Sequence, residues 1–169
     1  MADAATMTIK AVILPDEIQT TLKDLTFSYT PADANDKWFY SLTLIRHDSS
    51  ANLIGTGGYL SNRAGVLSAS ATETVATTDK VKFLFIKNTG TTDGSSTTDE
   101  SVMLVFDGST VAYSSTNAVE IGAGESWFVK LPNTTVADLH AISADSNGSS
   151  AGEGSVQCIV AAILDDVSE

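Results

Sequence analysis

Only one cysteine, Cys158, occurs in the 169 residues, so the chain cannot form an intramolecular disulfide. This residue lies in the apolar run VQCIVAAIL, whereas a reactive thiol needs a nearby base and an electropositive setting. We therefore expect Cys158 to be a small, buried apolar side chain. The fold is expected to form without oxidation.

Basic residues are also scarce: nine Lys and Arg stand against 21 Asp and Glu, which gives a formal net charge of −12. A protein that binds the phosphate backbone of a nucleic acid needs a concentrated Lys and Arg surface. Here the basic residues are scattered along the chain, so we expect no nucleic-acid partner. An acidic surface favours solubility, and it keeps free subunits apart until contacts with a partner outweigh the repulsion.

Long apolar segments are missing as well. The longest apolar run, residues 156–164, has the length of a strand and is far shorter than the roughly 20 residues that a membrane-spanning helix needs. The N-terminal sequence MADAATMTIKAVILPDE has no basic region followed by a continuous apolar segment and a cleavage site. We expect no membrane partner, no classical secretion signal and production in the cytoplasm.

Side chains that carry out catalysis or hold metals are sparse. Neither His47 nor His140 has a second His, Cys or carboxylate at a metal-ligand spacing, and no nucleophile, base and orienting group occur together. Residues 145–148, Asp-Ser-Asn-Gly, match only the opening half of a calcium-binding loop, so a turn is expected there and calcium binding near Asp145 stays an open alternative. We predict a protein that is not an enzyme, with no cofactor, no metal and no catalytic residue.

What the chain has in abundance is short apolar stretches separated by loops rich in Ser, Thr, Gly and Asp. This pattern predicts an all-β, single-domain β-sandwich that is jelly-roll-like and has about 8–10 strands. An immunoglobulin-like fold is disfavoured because its Cys–Trp–Cys signature needs two cysteines. The predicted strands cover residues 7–14, 26–30, 38–47, 81–88, 101–106, 126–131, 136–144 and 156–164.

Prolines mark boundaries along the chain. Pro15 follows an apolar alternation, which predicts an N-terminal strand or extended arm over residues 1–15 and a β-sandwich domain over residues 16–169. Such an arm can add a strand to a neighbouring molecule through main-chain hydrogen bonds. A short helix is predicted over residues 16–25, and Pro132 is expected to end the strand that precedes it.

Two features are candidates for contact with a partner. The loop over residues 89–100 has no large apolar residue and is longer than most connections, so it is predicted to be functional or mobile. Trp38 and Trp127 raise an alternative function, a carbohydrate-binding or adhesive module such as a fibre or tail component, in which an exposed aromatic side chain holds a glycan. Both tryptophans lie at strand starts within apolar runs, which favours core packing, and their exposure decides between the two functions.

The second half of the chain resembles a known group of proteins. The run VKFLFIKNTGTTDGSSTTDESVMLVFDG, followed by GAGESWFVKLPN and by the C-terminal strand VQCIVAAIL, is similar in overall pattern to the small virion structural proteins of tailed bacteriophages. The resemblance implies a jelly-roll-like capsid decoration or cement protein that binds the outside of the head and stabilises it. It further implies a homotrimer whose partners are copies of itself and the major capsid protein. Such a protein is made in the host cytoplasm and is located at the capsid surface of the virion.

Overall fold

The computed structural model describes residues 5–9, 25–32, 35–55, 74–112, 115–145 and 152–167. The chain separates into two compact units, Met1–Ala34 and Asn35–Glu169. All the sheets of both units are antiparallel, and no described residue forms an α-helix, so the predicted all-β class is confirmed.

The first unit contains a two-stranded antiparallel sheet. Strand β1 (Ala5–Ile9) pairs with β2 (Leu25–Tyr29) along the full length of both strands. In both strands polar Thr or Ser residues alternate with larger apolar ones, which is the period of a strand with two different faces. The alternation in the sequence therefore corresponds to an observed pair of strands.

This strand pair confirms the strand predicted over residues 26–30 and the described residues 7–9 of the strand predicted over residues 7–14, whose other residues lie outside the described part of the chain. The short helix predicted over residues 16–25 lies outside the described residues, except for Leu25, which begins β2. The hypothesis that residues 1–15 form an arm on a neighbouring molecule stays a prediction.

The second unit contains two four-stranded antiparallel sheets. Sheet I consists of β3 (Asp36–Ile45), β5 (Lys80–Asn88), β8 (Ser126–Thr135) and β10 (Val156–Asp165). Sheet II consists of β4 (Ala51–Asn52), β6 (Ser101–Val105), β7 (Val119–Ile121) and β9 (His140–Ala144). The strand order is β3-β10-β5-β8 in sheet I and β4-β9-β6-β7 in sheet II.

These eight strands pair in a nested manner. The first strand of the unit, β3, lies beside the last, β10, and the second, β4, lies beside the second from the end, β9. In the same way β5 lies beside β8, and β6 lies beside β7. Two further contacts, β10 with β5 and β6 with β9, join these pairs side by side. Every strand is therefore paired with the strand at the same distance from the opposite end of the unit.

Both sheets contribute to one cluster of buried apolar side chains. Leu84 and Ile86 of β5 and Val160 of β10 belong to this cluster together with Leu104 and Ala141 of sheet II. All five side chains are fully buried. Burying a side chain of the size of Val, Leu or Ile contributes about 1.5–3 kcal/mol, so the alternation along each strand selects the face that joins the core.

A second, smaller apolar cluster lies on the other face of sheet II. Met103 and Val105 alternate with the core residues of β6, and they pack with Ile142 and Val111. Val111 belongs to residues 106–112, which follow β6 and which we call the cover segment; the side chain is only 1% exposed. Val111 of the cover segment therefore covers the apolar side chains of β6 and β9 on the outer face of sheet II, with Ala118 packed beside them.

Hydrogen bonds hold the cover segment in place. Asp107 accepts from the amide of Ser109 at 3.0 Å, from the hydroxyl of the same serine, and from the side-chain amide of Asn117 at 2.8 Å. Because these groups, led by the Ser109 hydroxyl, donate to the ionised carboxylate, the pKa of Asp107 lies below its usual value. The amide of Val111 donates to the hydroxyl of Ser50 at 3.3 Å.

The expectation that Pro132 ends a strand is wrong. Strand β8 continues beyond it, and the register against β5 shifts: Phe83 lies opposite Lys130, but Val81 lies opposite Thr134. The extra residues of β8 form a bulge that contains the proline. Because β8 is at an edge of sheet I, a residue without an N–H is tolerated there.

The strand predicted over residues 136–144 is correct only in its second half. Val136–Asp138 form a turn of 3-10 helix, and the carboxylate of Asp138 accepts the amide of Thr135 at 3.0 Å. Strand β9 begins only at His140. This local carboxylate–amide bond offers the backbone an alternative to the sheet, which the apolar pattern alone does not reveal.

Four further predicted strands are confirmed to within two residues at either end. These are the strands predicted over residues 38–47, 81–88, 101–106 and 156–164. Among the described residues, no helix is long and apolar enough to cross a membrane.

Candidate contact surfaces

The loop over residues 89–100 is ordered by one carboxylate. Asp93 accepts hydrogen bonds from the amides of Ser95 at 2.9 Å and Ser96 at 2.7 Å, and from both serine hydroxyls at 3.0 Å. These bonds, that of the Ser96 amide above all, stabilise the ionised form and hold the pKa of Asp93 well below its usual value. Because residues 93–97 are exposed, the loop presents polar groups on a fixed backbone.

The first residues of this loop are hydrogen-bonded to β10. The amide and the hydroxyl of Thr89 both donate to the carbonyl of Gln157, at 3.1 and 2.7 Å. In return, the amide of Gln157 donates to the carbonyl of Thr91 at 2.8 Å, and a β-bridge joins Thr91 to Thr97. Of the two predicted alternatives, a functional or a mobile loop, these bonds favour a loop that is held in one conformation.

Asn88, the last residue of β5, directly precedes this loop and connects several segments around it. Its buried side-chain amide donates to the carbonyls of Glu100 at 2.9 Å and Ile121 at 3.1 Å, and its side-chain oxygen accepts from the amide of Gly90 at 2.8 Å. Its backbone amide donates to the carbonyl of Glu125 at 3.0 Å. Asn88 therefore joins sheet I to the segments that begin β6 and end β7 in sheet II.

A cleft of about 340 Å³ lies beside the loop, and its lining is acidic. The lining residues are Asp99, Ser101, Glu120, Gly122, Ala123 and Glu125. The hydroxyl of Ser101 donates to Glu120 at 2.9 Å, and the amide of Gly122 donates to Glu125 at 2.9 Å. Two of the three carboxylates are thus engaged with neighbouring donors. The described part of the chain contains no group of three or more His, Cys, Asp or Glu side chains that could hold a metal ion.

The two tryptophans are both partly buried. Trp127 packs against the core, and its ring centroid lies 5.4 Å from that of Phe106 with an interplanar angle of 44°. Trp38 is half-buried near the start of β3, opposite Ile163 of β10. Core packing is therefore confirmed for Trp127, and neither indole is fully exposed as a platform for a sugar ring.

The reactive side chains named from the sequence lie in structural settings. Cys158 is fully buried, and burial raises the pKa of its thiol to about 12, so the prediction of a buried apolar residue is confirmed. Nδ1 of His140 lies 2.9 Å from the carbonyl oxygen of Ser109 in the cover segment. His47 is half-buried just after β3. The calcium alternative depends on residues 146–148, which lie outside the described residues.

Sequence reasoning missed two buried polar residues at the loop end. Asn88 ends an apolar strand, where a polar residue normally marks a turn. Glu100 is only 6% exposed, and its Oε1 accepts the amide of Glu153 at 2.7 Å. Both lie at the ends of the polar loop over residues 89–100, and their burial depends on contacts with residues far away in the chain. The only local signal is that Asn88 directly follows a strongly apolar alternation.

No protein-family model, curated protein or solved structure matches the chain.

Proposed function

We propose that the second unit is a jelly roll and that the protein is a non-enzymatic virion structural protein, a capsid decoration or cement protein that binds the outside of the head and stabilises it. The nested strand pairing is the observation that supports the jelly-roll fold. A jelly roll is a long antiparallel hairpin that is wound into two facing sheets of roughly eight strands in total. Numbered along the chain, its strands have the order 1-8-3-6 in one sheet and 2-7-4-5 in the other. The orders of sheets I and II agree with this scheme when the strands β3 to β10 are counted from one.

The jelly roll is common to viral capsid proteins and lectins, and a fold alone does not select a function. Two local features favour a structural role. The exposed tip around Asp93 is fixed by its own hydrogen bonds, which suits a contact surface that loses little conformational entropy on binding. The carboxylates Glu120 and Glu125 in the cleft are already held by neighbouring donors.

The partners in this proposal are the major capsid protein and further copies of the chain, with a homotrimer as the assembly that the resemblance implies. The loop over residues 89–100 and the N-terminal residues 1–15 are the proposed contacts with the head. The protein would be made in the host cytoplasm and located at the capsid surface of the virion.

The alternative, a carbohydrate-binding or adhesive module, receives less support. It predicts that Trp38 or Trp127 is exposed, whereas Trp127 packs against Phe106 and Trp38 is half-buried. A glycan screen with the intact protein tests this alternative directly, and binding that Trp38→Ala abolishes would favour it over the capsid role.

The experiment for the capsid role uses heads of the encoding phage assembled without this chain. The purified protein is mixed with the heads, and co-sedimentation and the temperature of head disruption are measured. We expect saturable binding in a fixed ratio to the capsid subunits and a higher disruption temperature. Failure to co-sediment at micromolar concentrations would contradict the proposal.

Two matched variants locate the contact. Asp93→Ala removes the carboxylate that orders the loop tip, and Asp107→Ala removes an exposed carboxylate that orders a different turn. We expect Asp93→Ala to weaken binding to heads by tenfold or more and Asp107→Ala to leave it unchanged. Equal effects of the two variants would argue against the loop as the contact.

A further inference from the structure

The outer face of sheet I carries an exposed apolar stripe at β3. Tyr40, Leu42 and Leu44 follow one another at every second position and are 48%, 58% and 52% exposed. The half-buried Ala161 and Ile159 of β10 lie opposite Tyr40 and Leu42 and extend the apolar surface inward. An exposed apolar patch of this kind on a folded chain commonly marks an interface.

The same strand forms an edge of its sheet. Within the described residues, β3 pairs only with β10, so the outer edge of Trp38 to Ile45 has no strand beside it. This edge is long, because β3 has ten residues, and it is regular, because its pairing with β10 runs without a bulge. Its main-chain groups are a template for another strand.

The other three edges of the two sheets are blunted in ways that proteins commonly use against strand addition. Strand β8 contains Pro132 in a bulge and Lys130 next to it. Strands β4 and β7 are only two and three residues long. Residues 38–45 of β3 contain no charge, no proline and no bulge. Of the four edges of sheets I and II in the described residues, only that at β3 is both long and without these protective features.

The sequence of β3 is complementary to itself. When two copies run antiparallel with Leu42 opposite Leu42, the outer face places Tyr40 of each copy opposite Leu44 of the other. All three pairs on this face are then apolar, as strand pairs on a shared face require. Beyond them, the exposed guanidinium of Arg46 lies opposite the indole of Trp38, an arrangement that allows a cation–π contact.

The inner face agrees with the same register. Phe39 then lies opposite Ile45, and Ser41 lies opposite Thr43, so apolar residues meet apolar ones and hydroxyls meet hydroxyls. Shifting the register by two residues in either direction places Phe39 opposite Thr43 or Ser41 opposite Ile45. One register therefore satisfies both faces, and it is the register that a twofold axis through Leu42 produces.

We infer that β3 is a homodimer interface, in which the edge strands of two copies of this chain pair antiparallel about Leu42 and join their two sheets I into one continuous sheet. The stripe of Tyr40, Leu42 and Leu44 becomes part of a larger apolar face across the twofold axis. This inference goes beyond the capsid role and does not depend on it. If a homotrimer forms through another surface, β3 pairing doubles it, so the assembly contains an even number of chains.

Cysteine cross-linking tests the register. In Leu42→Cys the two introduced thiols lie directly across the twofold axis, where opposite Cα atoms are about 4.5–5.5 Å apart, within the range that a disulfide needs. In Leu44→Cys the two thiols are displaced along the strands, by about 14 Å at 3.4 Å per residue. The buried Cys158 stays in place in both variants. We expect mild oxidation to convert most of Leu42→Cys, and at least tenfold less of Leu44→Cys, into covalent dimer.

Solution mass gives an independent measurement. Light scattering on the intact chain is expected to give an even multiple of 17.6 kDa, and Leu42→Lys, which places like charges opposite each other, should halve it. Val167→Lys is the matched control, because Val167 is 46% exposed and lies outside β3. Equal cross-linking of Leu42→Cys and Leu44→Cys, or an oligomer mass that Leu42→Lys leaves unchanged, would overturn the inference. If Leu42→Lys does not fold, the two cysteine variants decide alone.

Discussion

The outer faces of the two sheets differ in how far their apolar side chains are covered. On sheet II, Met103 and Val105 are covered by the cover segment of the same chain, with Val111 buried between them and the solvent. On sheet I, Tyr40 and Leu42 of β3 remain about half exposed. Apolar side chains on an outer strand face are thus covered by the same chain in sheet II and left exposed along β3 in sheet I. The comparison teaches that an apolar alternation predicts a strand and its faces without saying whether another segment covers the outer face.

The largest effect is expected from charges placed on the two faces. Val111→Asp puts a carboxylate into a buried apolar cluster, which should cost about 3–5 kcal/mol of unfolding free energy. Leu42→Asp places the same group at an exposed position and should cost less than about 1 kcal/mol. Urea unfolding at low protein concentration, where association does not contribute, measures both. Equal losses would mean that the cover segment does not protect sheet II.

The next effect concerns the link between the two sheets. Asn88→Ala leaves the carbonyls of Glu100 and Ile121 and the amide of Gly90 without their side-chain partner in a buried setting, which should cost about 3 kcal/mol. Because Asn88 connects the sheets, the unfolding transition should move while staying single. The matched control is Asn117→Ala, which removes one exposed hydrogen bond and should cost about 0.5 kcal/mol. Similar losses in both variants would contradict the role of Asn88.

A smaller effect should appear in acid at the cover segment of sheet II. The pKa of Asp107 is lower in the folded chain than in the unfolded chain, so its contribution to stability is present above about pH 4 and is lost as the pH falls through the folded value. We therefore expect the cover segment to open below about pH 4 and to admit an apolar dye. In Asp107→Ala the acid dependence of dye binding should be smaller, because the carboxylate that titrates is absent. An identical acid profile in both proteins would refute this assignment.

The smallest effect is the salt dependence of association through β3. Each copy carries a net charge of −12, so two copies repel each other at low ionic strength. Raising the salt concentration from about 0.05 to 0.5 M screens this repulsion, and we expect the dimer to tighten several-fold. Analytical ultracentrifugation at both salt concentrations measures the change. Weakening of the dimer by salt would indicate ionic contacts instead of apolar strand pairing.

Much of this fold can be predicted from the period of the apolar residues. The alternation in β5 and β10 predicts both strands, and Cys158 is predicted as buried from its apolar neighbours alone. The buried face of β5 does not follow from the alternation, because Val81 joins the same core cluster as Leu84 and Ile86 across a shift in register. The strand end predicted at Pro132 is wrong because a proline can lie within a strand at a sheet edge. That β8 is such an edge strand depends on the order of the strands in the whole sheet. The 3-10 turn at Val136–Asp138 is missed because one carboxylate–amide bond outweighs the strand pattern.

The candidate contact surfaces are harder to predict, since each depends on long-range neighbours. The loop over residues 89–100 can be recognised as long and polar, but its fixed shape comes from Asn88 and from Gln157 of the distant strand β10. The stripe on β3 is visible in the sequence as an apolar alternation. Its exposure cannot be predicted, because the alternation does not show whether another segment covers that face, and the free edge of β3 follows only from the strand order of sheet I in the described part of the unit.

The most direct test of the contrast between the two faces is hydrogen exchange of the intact protein at two concentrations, one dilute enough for single chains and one at which it associates. We predict that peptides covering residues 38–45 gain at least tenfold protection on association, while peptides covering residues 101–105 are equally protected at both concentrations. Equal protection of residues 38–45 at both concentrations would contradict the claim that a second copy completes sheet I.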